Sequence, residues 1–244
     1  MGSRIGGTNP FDGCSDQYER FRPDYPAELI DIIDGLGTGP IIDVGAGTGK
    51  ASAPLVSRRR MVVSVEPSLS MIGSGNHSHR GLRYVCAKAE ELPMASASAS
   101  IVICAQAFHW LDAERALREF ARVTRPGGHV CVFWNNRDLS EPAPQVFDQL
   151  IHKWNPGHVQ GYRGKDWGGL IRATSLFRSV EFRALRQRIL MTVDDWIGLS
   201  RSISYVQSMG PEKLPGFENE LRERLEQLDG MDCPYITELW TAGC

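Results

Sequence analysis

The stretch Ile41-Ile42-Asp43-Val44-Gly45-Ala46-Gly47-Thr48-Gly49 decides how the rest of the chain is read. Its first part is a short apolar run, which predicts a buried strand, and its second part is a glycine-rich loop. Glycines in such a loop let the backbone turn sharply and approach a ligand that a Cβ would obstruct. Three readings compete. A Walker phosphate loop places four residues between its first glycine and Gly-Lys and then needs Ser or Thr. Here Ala46-Gly47-Thr48 intervene and Ala51 follows Lys50, so that reading fails. A dinucleotide fingerprint needs glycine where Lys50 stands, and fits poorly. The third reading includes Asp43 and gives Asp-x-Gly-x-Gly-x-Gly, a loop beside which a zwitterionic amino-acid tail can lie. Its ammonium would meet backbone carbonyls and an acid, and no pyrophosphate has to be neutralised.

The next apolar run strengthens the third reading. Met61 to Val65 predicts a second strand, ending at Glu66, 17 residues after Gly49. A carboxylate there can accept hydrogen bonds from both hydroxyls of a ribose.

Outward from this centre the chain alternates. Leu29, Ile32, Ile33 and Leu36 predict an amphipathic helix opened by Pro26 and closed near Gly35 and Gly37. Ala51 to Ser57 predicts a helix with Pro54 in its first turn, and a polar helical stretch lies around Ser70 to Gly73. Leu82 to Cys86, Ile101 to Cys104 and Val130 to Phe133 predict three further strands. Ala113, Leu117, Phe120 and Ala121 put one apolar face on a helix that stops at Arg125-Pro126-Gly127-Gly128. Strands apolar on both faces, alternating with helices, predict an α/β fold: a mostly parallel sheet covered on each side. Later segments, 139–176 and 193–228, are expected to be largely helical cap insertions, with a long strand over Val180 to Met191 and a last one over Tyr235 to Trp240. The expected division is a lid segment over residues 1–25 and one domain over 26–244.

Bulk composition excludes other classes. The chain has 244 residues, 42% apolar, with a net charge near −2, so no basic excess marks a nucleic-acid partner. No apolar run long enough to span a membrane occurs, and no metal site is expected, His77 and His79 lying in a Gly/Ser/Asn-rich stretch without a Cys or carboxylate nearby. Six cysteines without a Cys-x-x-Cys pair suit reduced thiols in the cytoplasm.

Taken together, Ile-Ile-Asp-Val-Gly-Ala-Gly-Thr-Gly (41–49), Val-Glu-Pro-Ser-x-x-Met (65–71), Ala-Glu-Glu-Leu-Pro (89–93), Phe-His-Trp-Leu-Asp (108–112) and Arg-Pro-Gly-Gly (125–128) resemble the class I S-adenosylmethionine (SAM)-dependent methyltransferases. The similarity runs from about Tyr18 to Asn136 and is strongest to the small-molecule branch, which includes trans-aconitate and natural-product methyltransferases. It implies a Rossmann-like, seven-stranded sheet whose last strand is antiparallel. It implies SAM as cofactor and S-adenosylhomocysteine as product. It places Gly45, Ala46 and Gly47 along the methionine part, where Asp43 is the acid already read beside the ammonium, Glu66 on the ribose, and Pro67 and Met71 beside the adenine. Ala89 and Glu90 would lie at the adenine edge, Gln106 near the sulfonium, and Tyr18 and Arg22 at the cofactor carboxylate. Lys88 stands where relatives often carry an acid, a departure that leaves the adenine amino contact to main chain.

Ligands of open α/β sheets bind outside the carboxyl ends of the strands. Phe108, Trp110, Trp134 and Asn135 gather there, with Trp196 and Tyr205 expected to cover them from the cap, and the competing reading makes the tryptophans core. Such walls suit a small acceptor, planar or carboxylate-bearing, as in secondary metabolism, methylated on oxygen or nitrogen. His109 is the candidate catalytic base, because imidazole titrates near neutrality, with a substrate anchor and a structural role as alternatives. Two other classes remain: a macromolecular methyltransferase, against which Ala105-Gln106-Ala107-Phe108 replaces the usual Asn/Asp-Pro-Pro-Tyr segment, and a silent SAM-binding interaction protein. Oligomeric state is not readable from the sequence.

Overall fold

Ile41 and Ile42 belong to opposite faces of one strand, and each feeds a different hydrophobic core. The computed structural model describes residues 20–157 and 162–244; most of the expected lid, and Tyr18 with it, lies outside the described residues. The first half alternates as the sequence predicts. α1 (Ala27–Gly35) leads to β1 (Ile41–Val44), α2 (Ser52–Ser57), β2 (Val62–Val65), α3 (Leu69–Ser78), β3 (Tyr84–Val85) and β4 (Ala99–Ala105). A 3-10 turn (Phe108–Trp110), α4 (Ala113–Val123) and β5 (Thr124–Arg137) follow. The second half comprises α5 (Pro142–Trp154), α6 (Trp167–Ala173), β6 (Ser179–Ile189), α7 (Val193–Arg201), α8 (Ser204–Gln207), α9 (Leu214–Leu225) and β7 (Cys233–Gly243).

The strands form one seven-stranded sheet in the order β3-β2-β1-β4-β5-β7-β6. β1 pairs in parallel with β2 and β4, aligning Ile42 with Val63 and Val102. The last strand, β7, runs antiparallel to both β5 and β6. This is the seven-stranded, Rossmann-like α/β sheet with an antiparallel last strand that the resemblance predicts.

Side-chain alternation sorts the strands' residues into two layers. Ile42, Val44, Val102, Cys104, Val130 and Val132 pack against Leu117, Phe120 and Val123 of α4. Ile41, Ile101, Ile103, Cys131 and Phe133 pack against Leu29 and Ile33 of α1 and Leu55 of α2. Helices α5, α7 and α9 build a third cluster around Phe147, Trp196 and Phe217 beside the end of β7. No helix among the described residues is long and apolar enough to cross a membrane.

Several boundaries differ from the sequence reading, each for a local reason. β3 is only two residues long, because its single neighbour, β2, offers two pairing positions, Ser64 and Val65. The Arg-Pro-Gly-Gly segment does end α4, but it is absorbed into an irregular start of β5, where Thr124 pairs with Ala99 and the register shifts before Ile101. A Cβ on Gly128 would stand 2.6 Å from the Ser100 carbonyl oxygen, so only glycine fits that close approach. α3 runs on through the Gly/Ser/Asn-rich stretch to Ser78, started by Ser68, whose Oγ accepts from the Met71 N–H.

Candidate functional site

The glycine loop leaves β1 and turns at once. Gly45 (φ +69°), Gly47 (φ +57°) and Gly49 (φ +88°) all occupy left-handed backbone. A Cβ on Gly45 would come within 2.5 Å of the Ala107 Cβ, so the loop passes close under the end of β4. Beneath it, Asp43 is fully buried; its Oδ2 accepts from Ser52 Oγ at 2.6 Å and its Oδ1 has no partner. Burial raises the Asp43 carboxyl to about 7, the Ser52 hydrogen bond opposing and the Glu66 charge adding to the shift. Asp43 therefore lies under the loop, not on the cavity wall above it.

Glu66 closes β2 with both carboxylate oxygens engaged. The Gly47 N–H donates to Oε2 and the Ser68 N–H donates to Oε1, each at 2.9 Å. Each oxygen retains acceptor capacity toward the cavity, because a carboxylate has about four lone-pair sites. Burial raises the Glu66 carboxyl, and the two N–H donors pull it back. The second strand's acid thus fixes the first strand's loop, a contact the sequence reading, which assigned Glu66 only to a ribose, did not include.

At the end of β4, Gln106 holds φ +56°, an uncommon conformation for a side-chain-bearing residue. Its backbone N–H donates to the Phe133 carbonyl at 2.9 Å and its Nε2 to the Asn135 carbonyl at 3.1 Å, tying the ends of β4 and β5 together.

These groups share one cavity of about 360 Å³, within the range of small-molecule sites. Of the residues the sequence singled out, Gly45, Ala46, Gly47, Glu66, Pro67, Met71, Ala89, Glu90, Gln106 and Trp110 line it. Tyr25, Lys50, Ala107 and Leu111 also line it without having been singled out as site residues, and so does Lys88, the departure noted above. Ala107 and Leu111 carry no chemical signal in a sequence. Lys50 did: its ammonium reaches the Asp24 carboxylate at 3.0 Å, tying the loop to the segment before α1.

Other expected site residues lie elsewhere. Arg22 does not line this cavity; its Nε donates to Ser202 Oγ at 3.1 Å, on the turn after α7. Trp196 is wholly buried and donates from Nε1 to the Met231 carbonyl, so it is cap core and not an acceptor wall. Phe108 and Trp134 are each 1% exposed. Trp134 stacks on Trp167 at 4.9 Å, and Phe108 meets Trp167 edge-on, so both are core at the strand ends. Asn135 is buried as well, accepting from Thr237 Oγ1 and donating to the Asp24 carbonyl, and the Tyr205 hydroxyl accepts from Arg137. Trp110, 60% exposed, is the aromatic of this group that reaches the cavity.

His109 lies among rings: Tyr162 at 4.6 Å, Trp110 at 4.9 Å and Trp134 at 6.4 Å between centroids. Burial pushes its imidazole down to about 4, so it is neutral at physiological pH. The Trp134 indole N–H donates to its Nδ1 at 3.1 Å. An indole can only donate, so Nδ1 carries the lone pair and Nε2 the proton. The one lone pair a base would use is occupied.

Comparison with known proteins bears on the whole chain. Residues 42–132 match a family model described as a methyltransferase domain. An uncharacterised methyltransferase of Mycobacterium tuberculosis is 41% identical over 226 residues, covering 90% of this chain and 89% of its own length. Among solved structures, one assigned as a type II methyltransferase of Anaeromyxobacter dehalogenans superposes with a TM-score of 0.67 at 24% identity, covering 91% of this chain and 97% of its own. A phosphoethanolamine N-methyltransferase of Haemonchus contortus, in complex with phosphomonomethylethanolamine and S-adenosylhomocysteine, superposes with a TM-score of 0.56 at 16% identity, covering 94% of this chain and 56% of its own.

Proposed function

Because the chain belongs to the class I SAM-dependent methyltransferases, we propose that it transfers the methyl group of SAM to an oxygen or nitrogen of a small-molecule acceptor, releasing S-adenosylhomocysteine. The acceptor proposed is a planar or carboxylate-bearing metabolite of a natural-product pathway, met in the cytoplasm. The observation that carries this reading is the single cavity into which the glycine loop, Glu66, Met71 and Gln106 converge.

The residues present fit the cofactor. Gly45, Ala46 and Gly47 would run along its methionine part, where a Cβ on Gly47 would press to 3.2 Å from the Met71 methyl. Glu66 would accept from the ribose hydroxyls, Pro67 and Met71 would flank the adenine, and Ala89 and Glu90 would meet its edge. Gln106 would stand at the sulfonium side. When bound, SAM supplies an already activated methyl group. The protein then has to hold an acceptor lone pair in line and exclude water, and orientation can provide most of the acceleration. Trp110 and Tyr25, at the cavity wall, are the groups to exclude water. His109, with its lone pair engaged, positions Trp134 and Tyr162 and moves no proton.

Calorimetry with S-adenosylhomocysteine tests the cofactor half of this reading. Glu66→Ala should weaken binding by about 1–3 kcal/mol, the scale for losing a charged hydrogen-bond partner, and NAD should not bind. Unchanged affinity in the variant would displace the ribose from Glu66. Methyl transfer is tested by mass spectrometry of the products formed from a metabolite extract and isotopically labelled SAM.

A further inference from the structure

Arg137, the last residue of β5, is 7% exposed and is the one buried arginine among the described residues. A guanidinium stays charged at any pH the protein meets. A charge inside a protein is costly unless it is paired and its donors are used. Arg137 has no ion pair with any carboxylate of the described residues, whereas more exposed arginines such as Arg58, Arg60, Arg122 and Arg201 each have one within 4 Å. Its Nη2 donates to the Tyr205 hydroxyl at 3.0 Å, its guanidinium carbon lies 4.7 Å from the centre of the Phe147 ring, and its Nε is buried without an acceptor. Burial disfavours its charged form, and the titratable groups around it are Tyr205, Tyr235, Tyr162 and Cys233. A neutral phenol can share a hydrogen bond with the cation but cannot balance its charge.

Arg137 does not line the cavity itself but is linked to it along its own strand. It is two residues beyond Asn135, whose carbonyl holds the Gln106 side chain at the cavity. Tyr162, one of the phenols around it, stacks on His109, which follows β4 next to the cavity-lining Ala107 and Trp110.

We infer that Arg137 is an anion subsite that binds a carboxylate of the methyl acceptor, an inference that rests on the methyl-transfer reading above. The planar fork of a guanidinium matches the two oxygens of a carboxylate, and the Nε edge is the part left without an acceptor. Charge selects carboxylate over phosphate: one unbalanced cation is neutralised by a monoanion, while a phosphate dianion would leave a buried negative charge. The neighbouring cation, Arg163, already has Asp148 at 3.9 Å. Phenols and Phe147 around the fork favour an acceptor whose acid is attached to an apolar or aromatic body.

The test is calorimetric titration of the protein, with and without saturating S-adenosylhomocysteine, using benzoate, benzamide and phenyl phosphate as probes. Benzoate should bind the wild type, with benzamide and phenyl phosphate at least about tenfold weaker, a gap of 1.4 kcal/mol or more. Arg137→Lys keeps the charge but loses the fork and should cost benzoate about tenfold or more, and Arg137→Met should abolish its binding. S-adenosylhomocysteine affinity should stay within about twofold in both variants, less than 1 kcal/mol. The melting temperature of Arg137→Met should not fall, since an unpaired buried charge has been removed. No benzoate binding by the wild type, equal binding of benzamide, preference for phenyl phosphate, or undiminished benzoate binding by Arg137→Met would each overturn the subsite. If Arg137→Met does not fold, the wild-type comparison of benzoate with benzamide still decides. Should benzoate bind as expected while S-adenosylhomocysteine does not, the methyl-transfer reading fails and the anion subsite stands.

Discussion

A histidine's chemistry depends on which of its two nitrogens carries the proton, and at His109 a single hydrogen bond fixes that. With the Trp134 N–H on Nδ1, the neutral ring keeps its proton on Nε2, and burial holds it neutral down to about pH 4. Nitrogen-resolved NMR should therefore find the Nε2–H tautomer and no titration near the ordinary value of about 6.5. A midpoint above pH 6, or an Nδ1–H tautomer, would contradict the geometry. His109→Phe should keep turnover within about tenfold, whereas loss of a true base costs about 10²-fold or more. The linkage has a definite sign. Because the folded value lies below the unfolded one, the unfolded chain binds more protons between about pH 4 and 6.5, so this residue's contribution is complete above that window and is lost as pH falls through it. The sequence offers the residue type and its place after β4. It does not disclose the donor on Nδ1, which comes from a strand 25 residues away. Arg137 is hidden for the same reason, since nothing in Asn-Asn-Arg announces that this arginine is buried.

Elements were legible where short-range rules decide them. β1, its glycine loop and β2 follow from apolar runs broken by residues that must take positive φ, and the Glu66 carboxylate lies where the spacing puts it. Where pairing decides, the reading slipped: β3 shrank, β5 extended to Arg137, and β7 reached back to Cys233 because β6 offers partners there, Arg188 to Pro234 and Ile189 to Cys233. The aromatic residues after β4 and β5 show the same limit. Their gathering was visible, but the question of which ring faces core and which faces cavity is settled by α6, whose Trp167 stacks on Trp134. The loop itself makes a prediction at this scale. Gly45→Ala forces a Cβ into left-handed backbone, at about 1–2 kcal/mol, and toward the Ala107 Cβ, which adds overpacking strain of about 1–3 kcal/mol. Thermal unfolding should show a clearly lower midpoint, and calorimetry should show weakened S-adenosylhomocysteine binding as the loop retreats from β4. Wild-type values in both measurements would mean that the loop does not pass under β4 as tightly as 2.5 Å implies.

At the scale of the molecule, the sheet separates two tasks. The cavity is walled by the loops after β1, β2, β3 and β4 together with Tyr25 before α1, and none of its lining residues belongs to the cluster built by α5, α7 and α9. That cluster instead supports the surroundings of Arg137: Phe147 lies under the guanidinium, and Phe217 meets Phe147 edge-on at 6.1 Å. A defect in the cap should consequently reach the acceptor side and spare the cofactor side. Phe217 is wholly buried, so Phe217→Ala should cost about 3–5 kcal/mol of stability through lost burial and a cavity. Phe147 would then be free to tilt, moving the ring on which the Arg137 guanidinium rests. Below the variant's melting temperature, benzoate affinity should drop several-fold, about 1 kcal/mol, while S-adenosylhomocysteine affinity stays at the wild-type value. The cofactor ligand should also stabilise wild type and variant by the same increment at equal concentration, because that increment depends only on its dissociation constant. If cofactor affinity fell in parallel with benzoate affinity, the two sides would be mechanically one, and the cap would be part of the cofactor site and not a separate wall for the acceptor.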